Sequence, residues 1–131
     1  MARYILRQQT KKQSELHLTW QRKRWKNEPN EWILIVSLIK EHMNKVADIG
    51  CILCRHLDYG RTPPELHHPR DAAGGAQRAS DWLVIPLCPE HHRGNSGLHG
   101  LGTKGFYTRY KMGEWDLLAL TIQALAEENK W

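Results

Sequence analysis

Apolar residues recur at helical spacing in two parts of this chain and gather into short runs in two others. Trp32, Ile35, Val36, Ile39, Met43 and Val46 fall on one stripe, with Lys40, Glu41 and Lys45 on the other side, so the spacing predicts a helix over residues 32–46. Pro29 and Asn30 mark its boundary, Asn30 as the N-cap candidate, and Gly50 ends it. Trp115, Leu118, Ile122, Leu125 and Ala126 form a second stripe and predict a helix over residues 115–127. Between these helices the periodicity shortens. Residues 65–68 and 82–87 read as two strands, the second apolar and bounded by Asp81 and Cys88. Pro89 suits the first position of a helix, so a short one begins over residues 89–93, and the glycines of residues 94–105 predict a loop after it. Residues 55–64, with Pro63 and Pro64, read as a polar turn region, and residues 70–80 as a glycine-containing loop. The expected class is α+β: a small core with flanking N- and C-terminal helices.

Composition changes this picture in three ways. A chain of 131 residues has room for one domain with a modest core, and domains of that size are often stapled by a metal ion. The formal charge is +5, and residues 1–31 carry all of it, with eight Lys or Arg against three Glu. The chain is therefore expected to consist of a basic, mobile arm over residues 1–30 and a domain over residues 31–131. Within the arm, residues 15–20 alternate weakly, as a short strand would. Residues 1–13 are charged and polar without a secretory signal, and the longest apolar run, residues 32–39, is too short to cross a bilayer. A reduced, cytoplasmic protein is the expectation, with no membrane partner.

The three cysteines carry the first chemistry. Cys51-x-x-Cys54 and Cys88-x-x-His91 are two knuckles separated by 33 residues. Tetrahedral Zn²⁺ takes four such ligands, and a two-residue gap lets both members of a knuckle converge on one ion. This reading uses every cysteine, with His91 or His92 as the fourth ligand. A thioredoxin-like Cys51-x-x-Cys54 is the redox alternative, but it gives Cys88-x-x-His91 no role.

A second constellation lies among the knuckles. Leu66-His67-His68-Pro69 ends the first strand, Asp81 precedes the second, His92 follows the second knuckle, and His99 comes one loop later. Strand, loop, strand and helix, with a histidine pair on the first strand and a histidine on the helix, resembles the ββα-metal core of the HNH (His-Me finger) nuclease superfamily. Within it, the run from Gly50 to His99 is similar to the phage recombination-enhancement family of RecA-dependent nucleases. The residues that carry the likeness are Cys51-Ile52-Leu53-Cys54, Glu65-Leu66-His67-His68, Gly74-Gly75, Ile85-Pro86-Leu87-Cys88-Pro89-Glu90-His91-His92 and Leu98-His99-Gly100.

The resemblance implies roles. His68 would be the general base that activates water, and His67, His92 and His99 would hold a catalytic divalent ion such as Mg²⁺. Asp81 stands near the family's central Asn, whose side chain orients the base, and is a departure from that pattern. The resemblance also implies a DNA substrate, a RecA filament as partner and a phage or prophage origin.

Elementary chemistry agrees with these roles. Phosphodiester hydrolysis needs an activated water and a cation near the scissile phosphate, and an imidazole suits proton abstraction near neutral pH. Neighbouring residues on a strand point to opposite faces, so His67 and His68 cannot both face one ion, and one ligates while the other works from a different angle. Arg22, Lys23, Arg24 and Lys26, interleaved with Trp20 and Trp25, suit phosphate contact with base stacking, and Arg70 suits a phosphate or leaving group. The leading expectation is a metal-dependent DNA endonuclease acting on recombination intermediates. The competing one is a non-catalytic zinc-knuckle DNA-binding module, which would leave four clustered histidines idle.

Overall fold

The computed structural model describes residues 29–70 and 79–128. The chain divides into two units, residues 1–37 and 38–131. The basic arm, the strand expected over residues 15–20, Arg22, Lys23, Arg24 and Lys26 lie outside the described residues, as do Gly74 and Gly75. The order of elements is α1 (Pro29–Asp48), α2 (Ile52–His56), β1 (Glu65–His67), β2 (Ile85–Leu87), α3 (Pro89–Arg93), α4 (Leu98–Tyr110) and α5 (Glu114–Glu127). Among the described residues no helix is long and apolar enough to cross a membrane.

Helix α1 begins at Pro29, so Asn30 lies inside it and is not the N-cap. In the first unit Trp32, Ile33, Leu34 and Ile35 are all exposed. Four consecutive apolar residues at 100° per step circle the whole helix, and one packing face cannot take them all. In the second unit Val46 is fully buried and Met43 packs against the core.

The core of the second unit forms around a two-stranded antiparallel sheet, with Glu65 opposite Leu87, Leu66 opposite Pro86 and His67 opposite Ile85. Helices α2 and α5 pack on β2, and α3 touches both strands. Leu53, Ile85, Leu87, Phe106, Leu117 and Leu125 are its largest buried aliphatic and aromatic side chains. The strands are shorter than the apolar run implied. Residues 81–83 form a turn and bend in which Trp82 is exposed and the Leu83 N–H donates to the Ser80 carbonyl at 2.8 Å.

Two further expectations are corrected. The glycine-rich stretch expected as a loop is largely helix α4, in two pieces joined across Gly102, whose φ of 69° is in the left-handed region that glycine tolerates. Leu98 and Phe106 are buried there and Leu101 and Tyr110 pack on the core, an apolar series that the intervening glycines disguise. Helix α5 buries Leu117, Leu118, Thr121, Ala124 and Leu125, whereas Trp115 and Ile122 are exposed, so its inward face is rotated from the expected stripe.

Candidate metal centres and active site

The first cluster is built from two helix starts. Cys51 sits at the N-cap of α2, where its sulfur accepts a hydrogen bond from the Cys54 N–H at 3.4 Å, and one turn brings Cys54 to the same side. Cys88 caps α3 and His91 lies one turn along it. The His91 Nδ1 is 3.5, 3.4 and 3.3 Å from the sulfurs of Cys51, Cys54 and Cys88, and the Cys54 and Cys88 sulfurs are 3.8 Å apart. All four residues are buried. Metal–sulfur bonds of about 2.3 Å and metal–nitrogen bonds of about 2.0–2.1 Å in a tetrahedron put sulfurs about 3.8 Å apart and sulfur and nitrogen about 3.6 Å apart. The cluster has the dimensions of a tetrahedral metal site. Burial pushes the Cys51 thiol up to about 12 and holds the His91 imidazole below its ordinary value.

The second cluster gathers His67, His92 and His99. His67 ends β1 facing inward, 3% exposed, whereas His68, the next residue, points elsewhere. His92 follows His91 on α3, and residues one apart on a helix diverge by about 100°, so the two histidines serve different clusters. This places His91, and not His92, with the cysteines. His99 lies in the first turn of α4, held near α3 because Gly100 packs against the backbone of Gly94 so closely that a Cβ would strike the Gly94 carbonyl. The His92 Nε2 lies 3.2 Å from both the His67 Nδ1 and the His99 Nε2.

Two carboxylates stand behind these rings. Glu114 accepts from the His67 Nε2 at 2.7 Å, and Glu65 accepts from the His92 Nδ1 at 2.7 Å. The hydrogen bond from His92, with the Arg93 guanidinium 2.8 Å away, holds the Glu65 carboxyl below its ordinary range, so it is an ionised acceptor. Burial outweighs the pull of Glu114 and holds His67 below the ordinary imidazole value; burial and the nearby Arg70 charge do the same for His99. Rings that donate one nitrogen backwards to a carboxylate turn the other nitrogen forwards. Two imidazole nitrogens that face each other at 3.2 Å need a proton or a metal ion between them. At metal–nitrogen bonds of about 2.1 Å, neighbouring ligands on one ion are separated by about 3.0–3.4 Å. The rings are spaced to hold an ion.

His68 follows β1 directly, partly exposed, and its Nε2 lies 2.8 Å from a carboxylate oxygen of Asp81. Asp81 thus meets the imidazole itself. The Arg70 side chain is exposed, and its backbone N–H donates to Glu114 at 3.0 Å. Sequence reasoning missed both carboxylates. Glu65 had a signal, since it stands two residues before His67 on one face of a strand. Glu114 reaches His67 across 47 residues of sequence, and nothing local marked it.

The family model described as recombination enhancement, RecA-dependent nuclease matches residues 37–126, a span that contains both clusters, His68, Asp81, Glu65 and Glu114. A small α+β domain with two cysteine and histidine clusters is thus matched to nucleases over more than half its length. The chain belongs to the recombination-enhancement, RecA-dependent nuclease family. No curated protein and no solved structure matches it.

Proposed function

We propose that this chain is a DNA endonuclease of the HNH, ββα-metal type, stapled by Zn²⁺ at Cys51, Cys54, Cys88 and His91. It uses a second divalent ion, Mg²⁺ or a similar one, at His67, His92 and His99. The observation that carries this reading is the convergence of three imidazole nitrogens from β1, α3 and α4, two of them on rings backed by carboxylates, beside His68 at the end of β1. Carboxylate–histidine pairs of this kind fix ring orientation at metal sites. When bound, the ion supplies charge stabilisation at the scissile phosphate and its leaving oxygen.

The protein's own groups do the rest. With its Nε2 proton donated to Asp81, His68 carries its lone pair on Nδ1 and takes a proton from the attacking water. The hydroxide attacks phosphorus, the bond to the leaving oxygen breaks, and that oxygen takes a proton from solvent. Asp81 holds the ring in place and steadies the imidazolium that forms. Arg70, an exposed cation near His99, pairs with a non-bridging phosphate oxygen. The basic arm, through Arg22, Lys23, Arg24 and Lys26, supplies salt-sensitive affinity that is indifferent to sequence. We read the chain as phage or prophage encoded, acting in the host cytoplasm on recombination intermediates that a RecA filament presents.

Plasmid nicking with Mg²⁺ or Mn²⁺, with and without RecA and single-stranded DNA, tests the proposal. Wild type nicks and His68→Ala retains its zinc but loses cutting by about 10²–10⁴-fold. Binding without cutting by the wild type under every condition would instead support a zinc-knuckle binding module.

A further inference from the structure

Glu114 is the first residue of α5, yet its side chain is only 2% exposed. A carboxylate is seldom buried without compensation, and here three sources act at once. The N-terminus of α5 carries partial positive charge, one carboxylate oxygen takes the His67 Nε2 hydrogen bond, and the other takes the Arg70 N–H. The two bonds act on either side of His68 and the buried Pro69. One carboxylate therefore fixes both the ring of His67 and the backbone just beyond His68.

Glu65 differs. Its side chain is 32% exposed and shared with Arg93, so water competes for it. Of the two carboxylates only Glu114 works in a dry setting, where its hold on a ring is strong.

Resting on the catalytic-metal reading above, we propose that Glu114 is a positioning residue: it locks His67 in the Nε2–H tautomer and so commits Nδ1 to the divalent ion. It also sets the angle between that ligand and His68. A purely structural anchor at the start of α5 would leave the tautomer of His67 indifferent. A positioning residue would not.

The test uses the full-length, zinc-loaded protein. Imidazole ¹⁵N spectra recorded before any second ion is added read the tautomer directly, and loss of the free Mn²⁺ electron paramagnetic resonance signal reads ion uptake. In the wild type, His67 shows a protonated Nε2 and an unprotonated Nδ1. Glu114→Ala mixes the tautomers and weakens Mn²⁺ binding about 10–100-fold while the sulfur site keeps its zinc. Glu65→Ala weakens it less. Should Glu114→Ala fail to fold, Glu114→Gln fills the same volume and is expected to weaken Mn²⁺ binding through loss of charge and of one acceptor.

An Nδ1–H tautomer in the wild type, or Mn²⁺ affinity unchanged in both Glu114 variants, overturns the inference. If the wild type takes up no Mn²⁺, the metal reading of the histidine cluster falls, and the ring spectrum still decides the role of Glu114 in orienting His67.

Discussion

His91 and His92 are consecutive residues of α3 that face different clusters: the Nδ1 of His91 meets three sulfurs, and the Nε2 of His92 meets the nitrogens of His67 and His99. A five-residue helix thus joins the group proposed to staple the domain to the group proposed for chemistry.

The two histidines should therefore fail in different ways. His91→Ala is expected to lose zinc and to unfold or melt far below the wild type, because a structural ion's binding energy is folding energy. His92→Ala should keep its zinc and nearly all its melting temperature while losing Mn²⁺ uptake and nicking. Metal analysis and thermal melts of the two variants check this. Equal loss of stability in both would mean that the clusters are not separate.

The contact between His68 and Asp81 predicts strong coupling. Asp81→Ala should slow nicking by about tenfold or more, less than His68→Ala, and the double variant should be no slower than His68→Ala alone. Residues acting as one unit are non-additive. Independent, multiplying losses in single-turnover nicking would separate Asp81 from the base.

Proton release follows from the buried thiols. Without an ion, burial keeps the Cys51 thiol protonated until pH approaches about 12, so zinc must displace its proton at any working pH. His91, held below its ordinary value by burial, is already neutral near pH 7.5 and releases none. Zinc uptake by the chain should then free the Cys51 proton at pH 7.5, and weaken as pH falls. Calorimetry in buffers of different ionisation enthalpy reads the number of protons released, and Cys51→Ser should lower it by about one. A release that Cys51→Ser leaves unchanged would contradict Cys51 as a ligand.

The parts of this site that were legible in the sequence are those fixed by short spacing. Cys51-x-x-Cys54 and Cys88-x-x-His91 each span one helical turn, so their convergence follows from local geometry alone. The opposed directions of His67 and His68 follow from strand alternation. Helix α4 was hidden because its glycines read as loop punctuation, although Gly100 serves a close approach to Gly94 and Gly102 a bend between two helical pieces. The inward face of α5 was misjudged because Trp115 and Ile122 outweighed the smaller Thr121 and Ala124 that the core admits. Glu65 and Glu114 reach their histidines across 27 and 47 residues, and only the assembled fold brings them there.

The most direct test of the central claim is anomalous diffraction from crystals of the zinc-loaded protein soaked in Mn²⁺, with data on both sides of the zinc and manganese edges. The account predicts zinc at Cys51, Cys54, Cys88 and His91, and a separate manganese peak bonded to the Nδ1 of His67 and the Nε2 atoms of His92 and His99. A single ion at the sulfur cluster, with the three imidazoles merely hydrogen-bonded at full Mn²⁺ load, would contradict it.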